Sequence, residues 1–235
     1  MKAILLAAGV GTRIARELLR PKSCLEVDGK PIIRHTVELL QNNGIPATVV
    51  VGYEKNIIFE ALSGLDVTYY FNPFYKVTNS IASLWFAKEL LTGEDDLLIG
   101  NADVFFEQSI LDIVTKGREP RIMLADKTRI EVGDYFVKTI DDKLIAYGKE
   151  LPLSERTAEY VGMACIRKEA VCDFASGLES LVGQGRYDLW WENALYEFCT
   201  QRPVFIKDVE GKFWGEIDYI EDYERILAYL DSKKN

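Results

Sequence analysis

Histidine is almost absent: His35 is the only one in 235 residues. A Ser-His-Asp triad or a multi-histidine zinc centre is therefore close to excluded. His35 falls in a segment with an apolar face and is assigned no function. The four cysteines, Cys24, Cys165, Cys172 and Cys199, form no C-x-x-C pair. Neither a zinc ribbon nor a thioredoxin-type couple is indicated, and they read as reduced thiols. No apolar run approaches the roughly 18 to 20 residues of a membrane span. The apolar start, Met1 to Ala8, is short and runs straight into glycines without a clear cleavage region. A soluble, cytoplasmic protein without membrane insertion is expected. Positive charge is in deficit, with 28 Lys and Arg against 37 Asp and Glu, a net charge of −9. That balance argues against a general affinity for nucleic acid.

What is present suits a soluble enzyme: 48% hydrophobic and 28% charged residues, in a chain long enough to bury a sizeable core. The charge is unevenly spread. Residues 1–34 carry seven basic and three acidic side chains, a local net charge of +4 that leaves −13 for the rest. A basic cluster on an acidic protein points to a small anionic ligand rather than a polyanion.

Short apolar runs alternate with helix-period segments. Ala3–Ala7, Thr48–Gly52, Val67–Phe71, Asp96–Gly100 and Arg121–Ala125 read as strands. Pro31–Asn43, Asn56–Leu62, Ser80–Leu91 and Ile110–Lys116 read as helices, with Pro31 in a first turn, Gly44 at a C-cap and capping-box spacing from Ser109 to Asp112. This alternation predicts an α/β fold with a doubly wound, mainly parallel sheet. After about residue 130 the rhythm changes. Tyr135–Ile140 and Lys143–Tyr147 predict a hairpin across Asp141-Asp142, and Tyr160–Ile166 and Val204–Val209 add strands. Helices are expected over 168–182, 189–200 and 219–232, the last with Tyr219, Tyr223, Ile226 and Leu230 on one face.

The first strand empties into Leu6-Ala7-Ala8-Gly9-Val10-Gly11-Thr12-Arg13. Two glycines after a strand let backbone N–H groups approach a phosphate unobstructed. A dinucleotide-binding turn would place a third glycine at position 14, where Ile14 stands, and a P-loop needs Gly-Lys-Ser/Thr where Gly11-Thr12-Arg13 occurs. A plain strand-to-helix turn fits the glycines equally. Arg13 and Lys22 add charge that can neutralise a triphosphate, with Pro21 stiffening the approach to Lys22.

Two carboxylate positions stand out. Asp103 follows the strand ending Gly100-Asn101, at the strand end where ligands bind in this architecture, although a turn aspartate reads the same. Asp218 closes Trp214-Gly215-Glu216-Ile217-Asp218, and its spacing to Glu221 also suits a simple helix cap.

The run Leu-Ala-Ala-Gly-x-Gly-Thr-Arg, followed by Pro21-Lys22 and Pro31, resembles the signature of the sugar-nucleotide pyrophosphorylases, a nucleotidyltransferase family. The chain departs from the common pattern in the stretch from Ile14 to Arg20, and Lys22 lies nine residues after Arg13. The resemblance implies a Rossmann-like, doubly wound mixed sheet in a single nucleotidyltransferase (GT-A-like) domain over 1–235. Residues up to about 130 would form a nucleotide-binding half and those from about 131 an acceptor-binding half. It further implies that Leu6, Ala7, Ala8, Gly9, Gly11 and Thr12 wrap the nucleotide with Gly52, Asn79, Ser83 and Ala102, while Arg13 and Lys22 act on the phosphates. Asp103 and Asp218 would jointly hold Mg²⁺, with Glu216 nearby.

Asn79-Ser80-Ile81-Ala82-Ser83-Leu84, Val51-Gly52-Tyr53, Glu159-Tyr160-Val161-Gly162 and the Trp-x-Glu-Ile-Asp stretch are closer to the phosphocholine cytidylyltransferase-like branch. Asn79 also reads as a helix N-cap. That branch implies CTP, or another NTP, and a small phosphorylated or phosphonate amino-alcohol. The product would be an activated precursor of a cell-surface glycan or lipid head group. Tyr187-Asp188-Leu189-Trp190-Trp191-Glu192 concentrates aromatics beside acids, a composition that holds an ammonium group by cation–π contact and a carboxylate. A helix start with core tryptophan has the same composition. The expected acceptor residues are Tyr160, Gly162, Tyr187, Trp191, Glu192 and Glu216.

Overall fold

The computed structural model describes residues 1–11 and 20–234. The first half runs β1 (Lys2–Ala7), β2 (Glu26–Val27), β3 (Lys30–Pro31), α1 (Ile32–Asn42), β4 (Ala47–Val51), α2 (Lys55–Ala61), β5 (Val67–Phe71), α3 (Ser80–Phe86), β6 (Leu97–Asn101), β7 (Val104–Phe106), α4 (Gln108–Lys116) and β8 (Arg121–Asp126). The second half runs β9 (Phe136–Ile140), β10 (Lys143–Gly148), β11 (Ala158–Ile166), α5 (Lys168–Gly183), α6 (Asn193–Tyr196), β12 (Phe205–Asp208), β13 (Trp214–Glu216) and α7 (Ile220–Ser232).

Nine strands form one mixed sheet in the order β5-β4-β1-β6-β11-β8-β12-β10-β9. The first four are mutually parallel, and β11 then pairs antiparallel with both β6 and β8. Strand β9 also bonds back to β11 through Ala158↔Val137 and Glu159↔Phe136. This closure brings the start of the hairpin beside Tyr160, whose N–H donates to the Tyr135 carbonyl at 2.8 Å.

Alternation along β1 divides the core. Ile4 and Leu6 enter one apolar cluster with Ile99, Met123 and Phe174. Ala3 and Leu5 enter the other with Val49, Leu98 and Val114. Helix α1 buries Ile32, Ile33, Thr36, Val37 and Leu40, the spacing of one helical face. It ends at Gly44 (φ +70), where Gly44 N–H donates to Gln41 O and Ile45 N–H to Leu40 O. The hairpin turns on Asp141 and Asp142, both left-handed (φ 50 and 58), as a two-residue turn of this kind requires. Helix α7 caps a third small cluster of Leu25, Val27, Ile32, Phe105, Ile217 and Ile226. Among the described residues no helix is long and apolar enough to cross a membrane.

Four local expectations are corrected. The helix expected over 189–200 is reduced to α6, because the preceding residues run across the start of α3 and satisfy its free N–H groups. The carbonyls of Tyr187 and Leu189 accept from Asn79 and Ile81 at 2.7 and 3.2 Å, and the Trp191 N–H donates to Ser80 Oγ at 2.9 Å. Helix α3 stops at Phe86 and continues only as a 3-10 turn over Lys88–Leu90. Helix α4 begins after Glu107, so Ser109 lies inside it, and Asp112 accepts from Gln108 and Lys116 instead of capping. Before α7 the cap is Asp222, which accepts from the N–H groups of Asp218 and Tyr219 at 3.0 and 2.9 Å, rather than an Asp218–Glu221 pair.

Candidate active site

A cleft of about 540 Å³ opens at the carboxyl ends of β1 and β6. Such strand ends are where ligands bind in open α/β sheets. Leu6, Ala7, Ala8, Gly9 and Gly11 form one side of it, with Asn79, Ser83 and Ala102 alongside. Gly11 is left-handed (φ +61), and a Cβ there would come 2.9 Å from Lys22 Cγ. The lysine stem thus passes where only glycine leaves room. Gly52 lies behind the turn rather than in the cleft wall. A Cβ at Gly52 would sit 2.6 Å from the Ala8 carbonyl oxygen, which also accepts from the Tyr53 N–H at 3.1 Å. Thr12, Arg13 and Arg16 lie outside the described residues.

Lys22 opens a 3-10 turn after Pro21, and its side chain is 10% exposed. Its ammonium is ion-paired with Asp218. Burial pushes the Lys22 pKa down, and the charges of Asp103, Asp218 and Glu216 more than reverse this, holding it above the ordinary lysine value. Asp103 and Asp218 arrive together because β7 pairs antiparallel with β13, Val104 facing Glu216, and Ile217 N–H donates to the Asp103 carbonyl at 3.2 Å. Burial raises the Asp103 pKa, and the neighbouring Asp218 charge adds to the shift against the pull of Lys22.

Among the described residues no group of three or more His, Cys, Asp or Glu side chains is arranged around one metal position. Two carboxylates with the remaining positions open suit Mg²⁺, which keeps waters and substrate phosphates in its coordination shell. Asp103 and Asp218 fit that donor set. Asp222 accepts from the Asp218 N–H before α7, and Asp218, ion-paired with Lys22, lines the cleft.

The cleft is also lined by Asp134, Tyr135, Lys149, Tyr160, Trp190, Glu192, Tyr196 and Glu216. Tyr135 lies edge-on to Trp190 at 5.6 Å and stacks on Tyr196 at 5.6 Å, which stacks in turn on Tyr147 at 4.3 Å. Burial lifts the Glu192 carboxyl to about 7, against an ordinary value of 4.5. Glu216 is raised too, by burial first and then by the charges of Asp103 and Asp218. The Tyr160 hydroxyl lies near Glu192 without well-formed hydrogen-bond geometry.

Of the expected acceptor residues, Tyr160, Glu192 and Glu216 line the cleft, whereas Gly162, Tyr187 and Trp191 do not. Gly162 (φ +84) backs onto Val104 and Asn101, at an irregularity in the β11–β8 ladder. Tyr187 is exposed, and its carbonyl serves Asn79. Trp191 is fully buried; its indole N–H donates to Asn101 Oδ1 at 3.0 Å, while Asn101 Nδ2 donates to Glu216 Oε1 at 3.0 Å. Asn79 caps α3 through Ser80 N–H at 2.8 Å and lines the cleft as well. Asp134, Tyr135, Lys149, Trp190 and Tyr196 had no sequence motif beyond the aromatic–acid run that contains Trp190.

The fold is shared with a solved structure of the CTP:phosphocholine cytidylyltransferase from Streptococcus pneumoniae, at a TM-score of 0.81 and 24% identity over 97% of this chain and 98% of that one. In sequence, the chain is 26% identical to choline-phosphate cytidylyltransferase of the same organism, over 99% of this chain and 100% of the relative. It is 28% identical to CMP-5'-(3-aminopropyl)phosphonate synthase of Streptomyces rubellomurinus, over 93% of this chain but only 37% of that longer protein. The family model of the MobA-like NTP transferase domain matches residues 3–131, the stretch that holds the glycine-rich turn, Lys22 and Asp103. The chain belongs to that family and is a nucleotidyltransferase.

Proposed function

We propose that the protein is a Mg²⁺-dependent cytidylyltransferase that transfers CMP from CTP to a small phosphorylated or phosphonate amino-alcohol of the phosphocholine type, releasing pyrophosphate. The observation that carries this reading is the layout of one cleft. A glycine-rich turn with Lys22 and two carboxylates lines the same cleft as an aromatic wall with Asp134 and Glu192. The two relatives named above, both acting in cytidylyl chemistry on small phosphorus-containing compounds, support it.

An oxygen of the acceptor's phosphate attacks the α-phosphorus of CTP, and the bond from that phosphorus to the β-phosphate bridge breaks. With a second pKa of about 6, an acceptor phosphate is mostly dianionic at neutral pH and needs no general base. A protein with one histidine can therefore run the reaction by alignment and charge stabilisation. Lys22 holds its proton, offsets charge growing on the α-phosphoryl group and keeps the glycine turn aligned. Asp103 and Asp218 would hold the Mg²⁺, which when bound supplies charge neutralisation for acceptor and α-phosphate oxygens. Arg13 is assigned to the departing pyrophosphate. Trp190 and Tyr135 offer ring faces to an ammonium group, and Glu192 gains stability for its charged form when a cation enters.

The test is pyrophosphate release with Mg²⁺ and each of four NTPs against phosphocholine, phosphoethanolamine, aminoethylphosphonate, a phosphorylated amino acid amide and several sugar 1-phosphates. Release only with CTP and a cationic acceptor is the expected result. Release with UTP or dTTP and a sugar 1-phosphate would keep the chemistry and discard the aromatic wall as an acceptor site. The location proposed for such chemistry is the cytoplasm, where the four free thiols stay reduced.

A further inference from the structure

The cleft contains a cation of its own at the end assigned to the acceptor's head group. Lys149 follows Gly148, whose φ of +143 is a conformation suited to glycine, at the end of β10. Its ammonium lies 2.8 Å from Asp134 Oδ2 and 5.5 Å from the centre of the Trp190 ring. All three residues line the cleft. Trp190 is 41% exposed, so the residue stays partly open to solvent. A carboxylate and an aromatic ring around one ammonium is the chemistry by which proteins recognise organic ammonium ions.

We infer that Lys149 is an internal competitor for the acceptor's head group: in the ligand-free protein its ammonium fills the Asp134–Trp190 position, and a head group enters by displacing it. A cationic head group re-forms both contacts, and a neutral one re-forms neither. The lysine therefore determines how strongly the cleft takes its acceptor, and keeps neutral head groups out. The Lys149 and Asp134 side chains are 36% and 41% exposed, so their ion pair is weak enough to exchange with a ligand. This inference rests on the proposed acceptor end of the cleft.

Lysine labelled with carbon-13 at Cε reads the competitor without any turnover, the Lys149 signal being assigned from its loss in Lys149→Met. In the free protein that signal should be displaced by the Trp190 ring. Tetramethylammonium chloride should return it to the position of an exposed lysine, while sodium chloride at equal ionic strength should not. A signal already at the exposed-lysine position, or one that tetramethylammonium leaves unmoved, overturns the inference. In turnover, Lys149→Met should lower the phosphocholine KM about threefold, the scale of one exposed cation–π contact and one exposed ion pair, with the CTP KM unchanged. A raised phosphocholine KM would make Lys149 a direct acceptor contact and overturn the competitor role. If no acceptor turns over with CTP but the label responds to tetramethylammonium, the cytidylyltransferase reading fails and the competitor stands.

Discussion

The ammonium of Lys22 is ion-paired with the carboxylate of Asp218, 196 positions further along the chain. Neither partner is placed by its own local sequence alone. Lys22 is delivered by the Pro21 turn and passes the gap left at Gly11. Asp218 is delivered by β13 pairing with β7, which seats Asp103 in the same place. The cleft thus holds one buried ammonium among three carboxylates, Asp103, Glu216 and Asp218. Among the described residues this is an excess of negative charge, which in a half-closed site is costly by itself. It becomes favourable when a divalent cation and the lysine share it with the phosphates of a nucleotide.

Lys22→Ala and Asp103→Ala should each lose about 100-fold or more in kcat, the scale of removing one preorganised electrostatic stabiliser. Steady-state pyrophosphate release at saturating CTP and acceptor measures this. The two losses should differ in their metal dependence: raising Mg²⁺ should recover part of the activity of Asp103→Ala and none of that of Lys22→Ala. Near-wild-type turnover in either variant would remove that residue from the chemistry.

The legible part of this site is the part built from local chain geometry. The strand–glycine turn, Lys22, Asp103 and Asp218 each sit at an element end that hydrophobic patterning marks. The aromatic wall is different, because Asp134, Tyr135 and Lys149 flank a hairpin whose contact with Tyr160 depends on β9 bonding back to β11. No periodicity within either segment encodes that closure. The choice between Trp190 and Trp191 shows the same limit. Trp190 and Trp191 lie in a turn, and which one enters the core is decided by the hydrogen bonds of residues 187–191 to the start of α3. A helix over 189–200 offers no basis for choosing Trp190, and the expectation of Trp191 at the acceptor is the one the structure corrects.

Those two tryptophans should separate in experiment. Trp191 is fully buried with its N–H on Asn101, so Trp191→Ala should cost about 3–5 kcal/mol of stability, as large aromatic truncations in cores do. Trp190→Ala should leave the urea midpoint nearly unchanged and raise the KM of a cationic acceptor about 3- to 30-fold, matching a cation–π contact of about 0.5–2 kcal/mol. Its CTP KM should not move. A raised acceptor KM in a fully stable Trp191→Ala protein would reverse the two roles.

Glu192 gives the protein a pH signature that does not depend on turnover. Its carboxyl is 5% exposed, and burial raises its pKa from 4.5 to about 7. The folded state therefore holds the Glu192 proton more tightly than the unfolded chain does. Below about pH 4.5 both states carry the proton and the carboxyl imposes no ionic penalty. Between 4.5 and 7 the unfolded chain releases it first, so stability falls as pH rises through this window; above about 7 both states are ionised and the loss is complete. Glu192→Gln removes the ionisation and keeps the shape. Its unfolding free energy should match that of the natural chain near pH 4.5 and exceed it by about 3 kcal/mol at pH 8, the value of a shift of this size. Urea unfolding of both proteins at pH 5, 6, 7 and 8 measures the difference. Parallel curves across that range would mean that Glu192 is already ionised at pH 5 in the folded protein, with a cation or donor compensating its burial.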